Sequence, residues 1–179
     1  LCALVALYRP GPMRHVPRYS RGKHGDIEIR YPHPDLAGVL DETYGVIVYQ
    51  DQVMLIAQQF AGYTLGQADI MRKAMGKKKA EIMAAERDGF VAGAMKKGYT
   101  SEDASAVFDL IEPFAGYAFN TAHSWCYGNI AYHTAYLQAN YPAQYLAALL
   151  QLSKSAPDTH ARIPAAVGQS ATLGIAVLP

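Results

Sequence analysis

From Pro113 to Ser153 the sequence contains no aspartate, glutamate, lysine or arginine. That absence excludes an ion-paired surface over the stretch, yet it does not make a membrane span. Asn120, His123, Asn129, His133, Gln138 and Asn140 interrupt every window of the ~20 apolar residues that a span requires, so a helix buried in a large soluble protein fits better and no membrane partner is expected. Only two cysteines occur, Cys2 and Cys126, without CxxC spacing; this excludes a disulfide framework and suits a reducing, cytoplasmic compartment. Neither G-x-x-x-x-G-K-[ST] nor H-E-x-x-H nor a nucleophile elbow is present. His123, Cys126 and His133 do not close a zinc pattern, and Asp26-Ile-Glu28 in a proline-rich stretch reads as surface decoration. Self-contained catalysis and a metal site are therefore not expected.

What is present is a chain of 179 residues, 51% hydrophobic, able to bury a core of ordinary size. The apolar runs Leu1–Leu7 and Ile175–Leu178 call for something to pack against, so the chain is expected to be an excerpt from a longer polypeptide. The net charge of +1 conceals a local imbalance. Arg9, Arg14, Arg18, Arg21, Lys23 and Arg30 face only Asp26 and Glu28 before His33, which points to a local anionic partner.

Hydrophobic spacing predicts a mainly α fold. Pro10, Pro12, Pro17, Pro32 and Pro34 make residues 1–45 an extended basic segment, and the β-branched run Val46-Ile-Val-Tyr49 allows at most a short β element. A helical core spans 46–152. Helices are expected over Gln50–Gly62, from a Thr64/Gln67 capping box to Gly76, from Lys78 to Lys97, and from a Ser101 cap to a break at Pro113. A long helix then starts at Asn120 or Thr121 and ends at Asn140, a short one covers Ala143–Leu152, and 153–179 is a weakly periodic tail.

Two segments carry the chemistry. Arg72-Lys-Ala-Met-Gly-Lys77-Lys-Lys79 is a cationic run containing no acid, with Arg72 at the edge of the helix's apolar face and Lys73 pointing elsewhere. The turn at Asn120 opens a helix whose free amides and macrodipole favour an anion, and Asn120, His123 and Tyr127 share one face. Simpler readings stay open at this point: dipole-neutralising lysines, a histidine satisfied in the core, and tyrosines that are ordinary core aromatics rather than a floor for a base or sugar.

Beyond this physical reading, Ala6-Leu-Tyr-Arg-Pro-Gly-Pro-Met13, Arg21-Gly-Lys-His-Gly25, Thr43–Met54, Ala61–Asp69, Arg72–Lys79, Phe114–Asn120 and Ile130–Tyr136 resemble, in one order, the fingers region of the bacterial DNA polymerase III alpha subunits, the C-family replicative DNA polymerases. The resemblance implies an irregular helical fingers domain acting in chromosomal DNA replication, by template-directed nucleotidyl transfer. It implies two Mg²⁺ ions held by palm aspartates that lie outside this chain, so the fragment alone is expected to be inactive. Arg72, Lys73, Lys77, Asn120 and His123 become expected contacts to the triphosphate of an incoming dNTP, with Tyr127 and Tyr132 facing sugar or base. Arg9, Arg21 and Lys23 are expected near the backbone of primer-template DNA. The implied partners are the rest of the alpha chain, the sliding clamp and other replisome subunits. Thr121 stands where a lysine or arginine is usual, and Ala118 where glycine is usual, so one phosphate contact is expected to be missing and the turn less flexible. The competing reading is a noncatalytic helical nucleic-acid-binding module that tracks phosphates nonspecifically.

Overall fold

Helix α4 (Gln50–Ala61) places Val53, Ile56, Ala57 and Phe60 on one fully buried face, as their spacing predicts. It ends at Gly62, whose φ of 72° is the left-handed conformation that returns orphan carbonyls to the turning chain. A computed structural model describes this architecture for residues 1–76, 80–115 and 117–178. Two compact units are present, Leu1–Gly128 and Asn129–Pro179, with the division inside one long helix.

In the first unit, α1 (Cys2–Leu7), α2 (Val16–His24) and α3 (Ala37–Leu40) precede α4. They are followed by α5 (Leu65–Gly76), α6 (Ala80–Lys96), α7 (Ser101–Ala115) and the start of α8 (Thr121–Asn140). The central helix α4 packs against α3, α5, α6 and α7. Their shared core holds Phe60, Phe90 and Phe108 with Ile56, Met71, Ala104, Val107 and Ile111, all fully buried. Each such large side chain contributes roughly 1.5–3 kcal/mol by leaving water. Phe60 stacks on Tyr99 at 3.8 Å between ring centroids, and Phe90 meets Phe108 edge-on at 5.6 Å. Among the described residues there is no sheet, only one parallel bridge between Tyr49 and Phe119, so the Val46–Val48 run is buried chain rather than a strand.

The expected capping box at the head of α5 forms: Thr64 Oγ1 accepts from Gln67 N at 3.3 Å, and Gln67 Oε1 accepts from Thr64 N at 2.9 Å. Three boundaries differ. The basic segment is not an extended loop, because Pro12 and Pro17 sit in first turns, where a missing N–H breaks no helical bond; α2 forms from Val16 and is capped by left-handed Gly25. The cap of α7 is Thr100, one residue earlier than Ser101, its hydroxyl accepting from Asp103 N at 3.0 Å. Helix α7 also runs through Pro113 to Ala115, since a proline in the last turn removes one internal bond while buried Ile111 and Phe114 on either side hold the backbone helical.

In the second unit, α9 (Pro142–Ser153) packs against α10 (Thr159–Thr172), which occupies the stretch read as a tail. Leu146 and Ala166 are buried there, and the hydroxyls of buried Ser153 and Ser170 donate back to Leu149 O and Ala166 O at 2.7 and 2.9 Å. These serines close their own hydrogen bonds within the helix and cost the small core no unpaired polar atom.

One buried amide organises the approach to α8. Gln52 Oε1 accepts from Val48 N (2.9 Å) and Tyr49 N (3.0 Å), while its Nε2 donates to Val39 O (3.1 Å) and Thr43 Oγ1 (2.7 Å). All four hydrogen-bonding positions of the side chain are used. Gln52→Leu leaves the Val48 and Tyr49 amides without their acceptor and takes a donor from Val39 O and Thr43 Oγ1, so we expect a loss of about 3 kcal/mol, read as a lowered urea midpoint at unchanged slope.

Gly93 on α6 faces the Ala61 carbonyl so closely that a Cβ would lie 2.3 Å from its oxygen. Gly93→Ala is therefore expected to cost about 1–3 kcal/mol by forcing α4 and α6 apart. At Gly66, where no atom lies within 4 Å, the same change is expected to stabilise by up to about 1 kcal/mol, as thermal melts of the two variants will test.

Candidate functional site

The opening of α8 is fixed from three sides. Phe119 is bound in a parallel bridge, its N–H donating to Val48 O at 3.1 Å and its carbonyl accepting from Gln50 N at 2.9 Å. Asp51 accepts from the Thr121 hydroxyl one residue into the helix. Arg9 reaches over from the segment after α1, donating from Nε to Ala6 O at 2.8 Å and from Nη2 to Tyr117 O, with its guanidinium 4.5 Å above the Phe119 ring.

Asn120 is the cap, its Oδ1 accepting from His123 N at 2.9 Å. Ser124 and Gly128 turn inward, where the Ser124 hydroxyl donates to Cys2 O and a Cβ on Gly128 would meet Cys2 Sγ at 2.6 Å. Because α1 occupies that side, the adjacent stripe carrying His123 and Tyr127 is left in solvent. His123 lies between Phe119 (5.3 Å, tilted) and Tyr127 (4.6 Å, edge-on), so Phe119, His123 and Tyr127 form a short column of rings on the surface. The core readings are thereby overturned: His123 is exposed, and Trp125 and Tyr127 retain 64% and 53% of their surface. In the second unit Tyr132, Tyr136 and Tyr141 are likewise exposed. What α8 offers at its start is free amides, a carboxamide, an imidazole and a phenol without a single formal charge of its own.

The expected cations lie on α5. Arg72 is mostly buried, with 19% of its side chain exposed, and donates from Nε and Nη2 to Asp69 Oδ1 at 3.2 and 2.8 Å; exposed Lys73 reaches Asp69 Oδ2 at 2.6 Å. The run is thus acid-free only within its own limits, because Asp69, three and four residues earlier, takes both cations. Lys73 and then Arg72 hold the Asp69 carboxyl below its ordinary range. Lys77 lies outside the described residues. No hydrogen bond, ion pair or ring contact joins Arg72 to Asn120 or His123 among the described residues. Arg21 and Lys23 are exposed in the last turn of α2 and pair with no described carboxylate, whereas Arg9, half-buried, turns Nε and Nη2 onto backbone carbonyls. The sequence signal for Asp69 was its spacing to Arg72 and Lys73; nothing local announced the contacts of Arg9 or of Asp51 with Thr121.

Among the described residues no three His, Cys, Asp or Glu side chains gather to hold a metal ion. No helix among the described residues is long and apolar enough to cross a membrane.

Residues 1–98 match the family model for the bacterial DNA polymerase III alpha subunit finger domain. The chain belongs to this family. Curated relatives of the finger domain include the DNA polymerase III subunit alpha of Thermus aquaticus, 46% identical over all of the chain, and that of Borreliella burgdorferi, 49% identical over 99% of it. The DNA polymerase III subunit alpha of Pseudomonas fluorescens is 53% identical over 84% of the chain. The finger-domain chain spans only 13–15% of the length of these three relatives.

The ion pairs on α5 give a direct test. In an NMR titration the Asp69 carboxyl is expected to have its midpoint below 3.8, so the pairs persist through neutral pH and are lost only as pH falls through that depressed midpoint. Lys73→Met and Arg72→Met should each raise the midpoint toward the ordinary carboxylate range; a midpoint moved by neither would remove the pairing.

Proposed function

We propose that this chain is the nucleotide-aligning part of a DNA-directed DNA polymerase that acts in bacterial chromosomal replication. The observation that carries the reading is the solvent-facing cap of α8, where Asn120 and His123 flank the opening amides of a helix with no formal charge of its own, beside the Asp51 carboxylate that accepts from Thr121. Membership of the finger-domain family supports it, since that surface then has a reason to be built for a polyanion. In this reading Asn120 and His123 donate to the triphosphate of an incoming dNTP, and Arg72, Lys73 and Lys77 neutralise its charge. Tyr127 lies one turn beyond His123, where a sugar or base can rest against it. Tyr132, carried by the second unit, is proposed as sugar- or base-facing on the resemblance alone.

The helix terminus and the cations position and neutralise the triphosphate; nucleotidyl transfer itself is assigned to the rest of the alpha chain. There the palm aspartates hold Mg²⁺, whose chemistry is to activate the primer hydroxyl and steady the leaving pyrophosphate. The isolated fragment is therefore proposed to be inactive. Exposed Arg21 and Lys23 are suited to phosphates of primer-template DNA, and the enzyme is taken to work in the cytoplasm with the sliding clamp and other replisome subunits.

Kinetics of the full-length alpha subunit test this directly. Arg72→Ala is expected to raise the dNTP KM about tenfold, which is about 1.4 kcal/mol, with affinity for primed template nearly unchanged. His123→Ala is expected to lower turnover at unaltered melting temperature, because the imidazole is exposed and contributes little to the core. Unchanged nucleotide kinetics with weakened DNA binding would instead favour a noncatalytic nucleic-acid-binding module.

A further inference from the structure

We propose that Arg9 is a positioning residue for His123, acting through the ring of Phe119, rather than a contact to nucleic acid. The inference rests on the reading of the α8 opening as the triphosphate site. It starts from how the guanidinium is used. Nε is bound to Ala6 O and Nη2 to Tyr117 O, two carbonyls that belong to separate segments, and the plane lies 4.5 Å over Phe119. A planar fork is needed to serve diverging acceptors and an aromatic face at once; an ammonium group cannot do so. Burial depresses the affinity of this guanidinium for its proton, in keeping with a group drawn away from water.

Phe119 is the link. Its backbone is held by Val48 and Gln50, so the position of its Cα is set, and Arg9 then restrains the ring. The other neighbour of that ring is His123 at 5.3 Å, followed by Tyr127 at 4.6 Å from the imidazole. His123 has no side-chain hydrogen bond to hold its orientation among the described residues; its backbone N–H alone is bound, to Asn120. Ring contact is therefore what orients the imidazole, and Arg9 anchors the inner end of the column. A second contact strengthens the clasp: Gly11, at φ 99°, lies against Tyr117, where a Cβ would stand 3.2 Å from the ring.

Steady-state kinetics of full-length alpha subunit variants test this, with primed-DNA affinity and melting temperature measured alongside. Arg9→Lys keeps the charge and removes the fork; turnover is expected to fall about tenfold to a hundredfold, the range for a misplaced catalytic group, with dNTP KM and DNA affinity within about twofold of the parent. Phe119→Leu, which keeps the backbone bridge, is expected to give the same split. In a His123→Ala background Arg9→Lys should add less than about twofold, because the path through the imidazole is already gone. Multiplicative losses in the double variant, or normal turnover with weakened DNA binding in Arg9→Lys, would overturn the positioning role while leaving the triphosphate reading in place. A silent His123→Ala variant would remove that reading and with it this inference.

Discussion

The carboxamide of Gln52 is the constraint on which the rest of the site depends. It binds α3 itself through Val39 and the chain just after it through Thr43, and the chain before α4 through the amides of Val48 and Tyr49. With those two N–H groups satisfied from within, the Val48 carbonyl and the Gln50 amide are left to capture Phe119. The position of Phe119 in turn decides where α8 begins. Apolar packing below the bridge, from Ala3, Ala6, Leu7, Val46 and Val48, keeps water from competing for these bonds.

Around that anchor the protein carries two kinds of group that the proposed reading assigns to an anion. At the start of α8 it offers dipoles: free amides, a carboxamide and an imidazole, on a helix with no charge to repel or attract at long range. On α5 it offers full charges, already satisfied by one carboxylate. The dipolar element is rigid because its Cα positions are set by α1 and by the Tyr49–Phe119 bridge. The charged element is a core-packed helix through Ala68 and Met71, with the partly buried Arg72 and the exposed Lys73 both paired to Asp69.

Much of this was legible in the residues. The apolar spacing of α4 and α7, the Thr64/Gln67 box, the glycine after α4 and the Asn120 cap all follow from local rules, and all are in place. Prolines misled at both ends of their range: Pro17 reads as extended chain when taken alone but fits a first helical turn, and Pro113 reads as a stop but is overridden by the burial of its neighbours. At the site, the exposure of His123 and Tyr127 could not be read locally, because periodicity places residues on a face without saying which face α1 will cover. The roles of Arg9, Asp51 and Gln52 depend on partners far away in the sequence or on both sides of a turn. No window of the sequence contains them.

The pairing of Arg72 and Lys73 with a single carboxylate also sets a threshold. Any anion approaching α5 has to exchange with Asp69, which is tethered a turn away and is always present at high local concentration. A monovalent ion gains too little from that exchange to hold its place, whereas a ligand bearing several negative charges can displace the carboxylate and still engage both side chains. If α5 meets a triphosphate as proposed, the ion pairs with Asp69 favour a ligand with several negative charges over a simple anion.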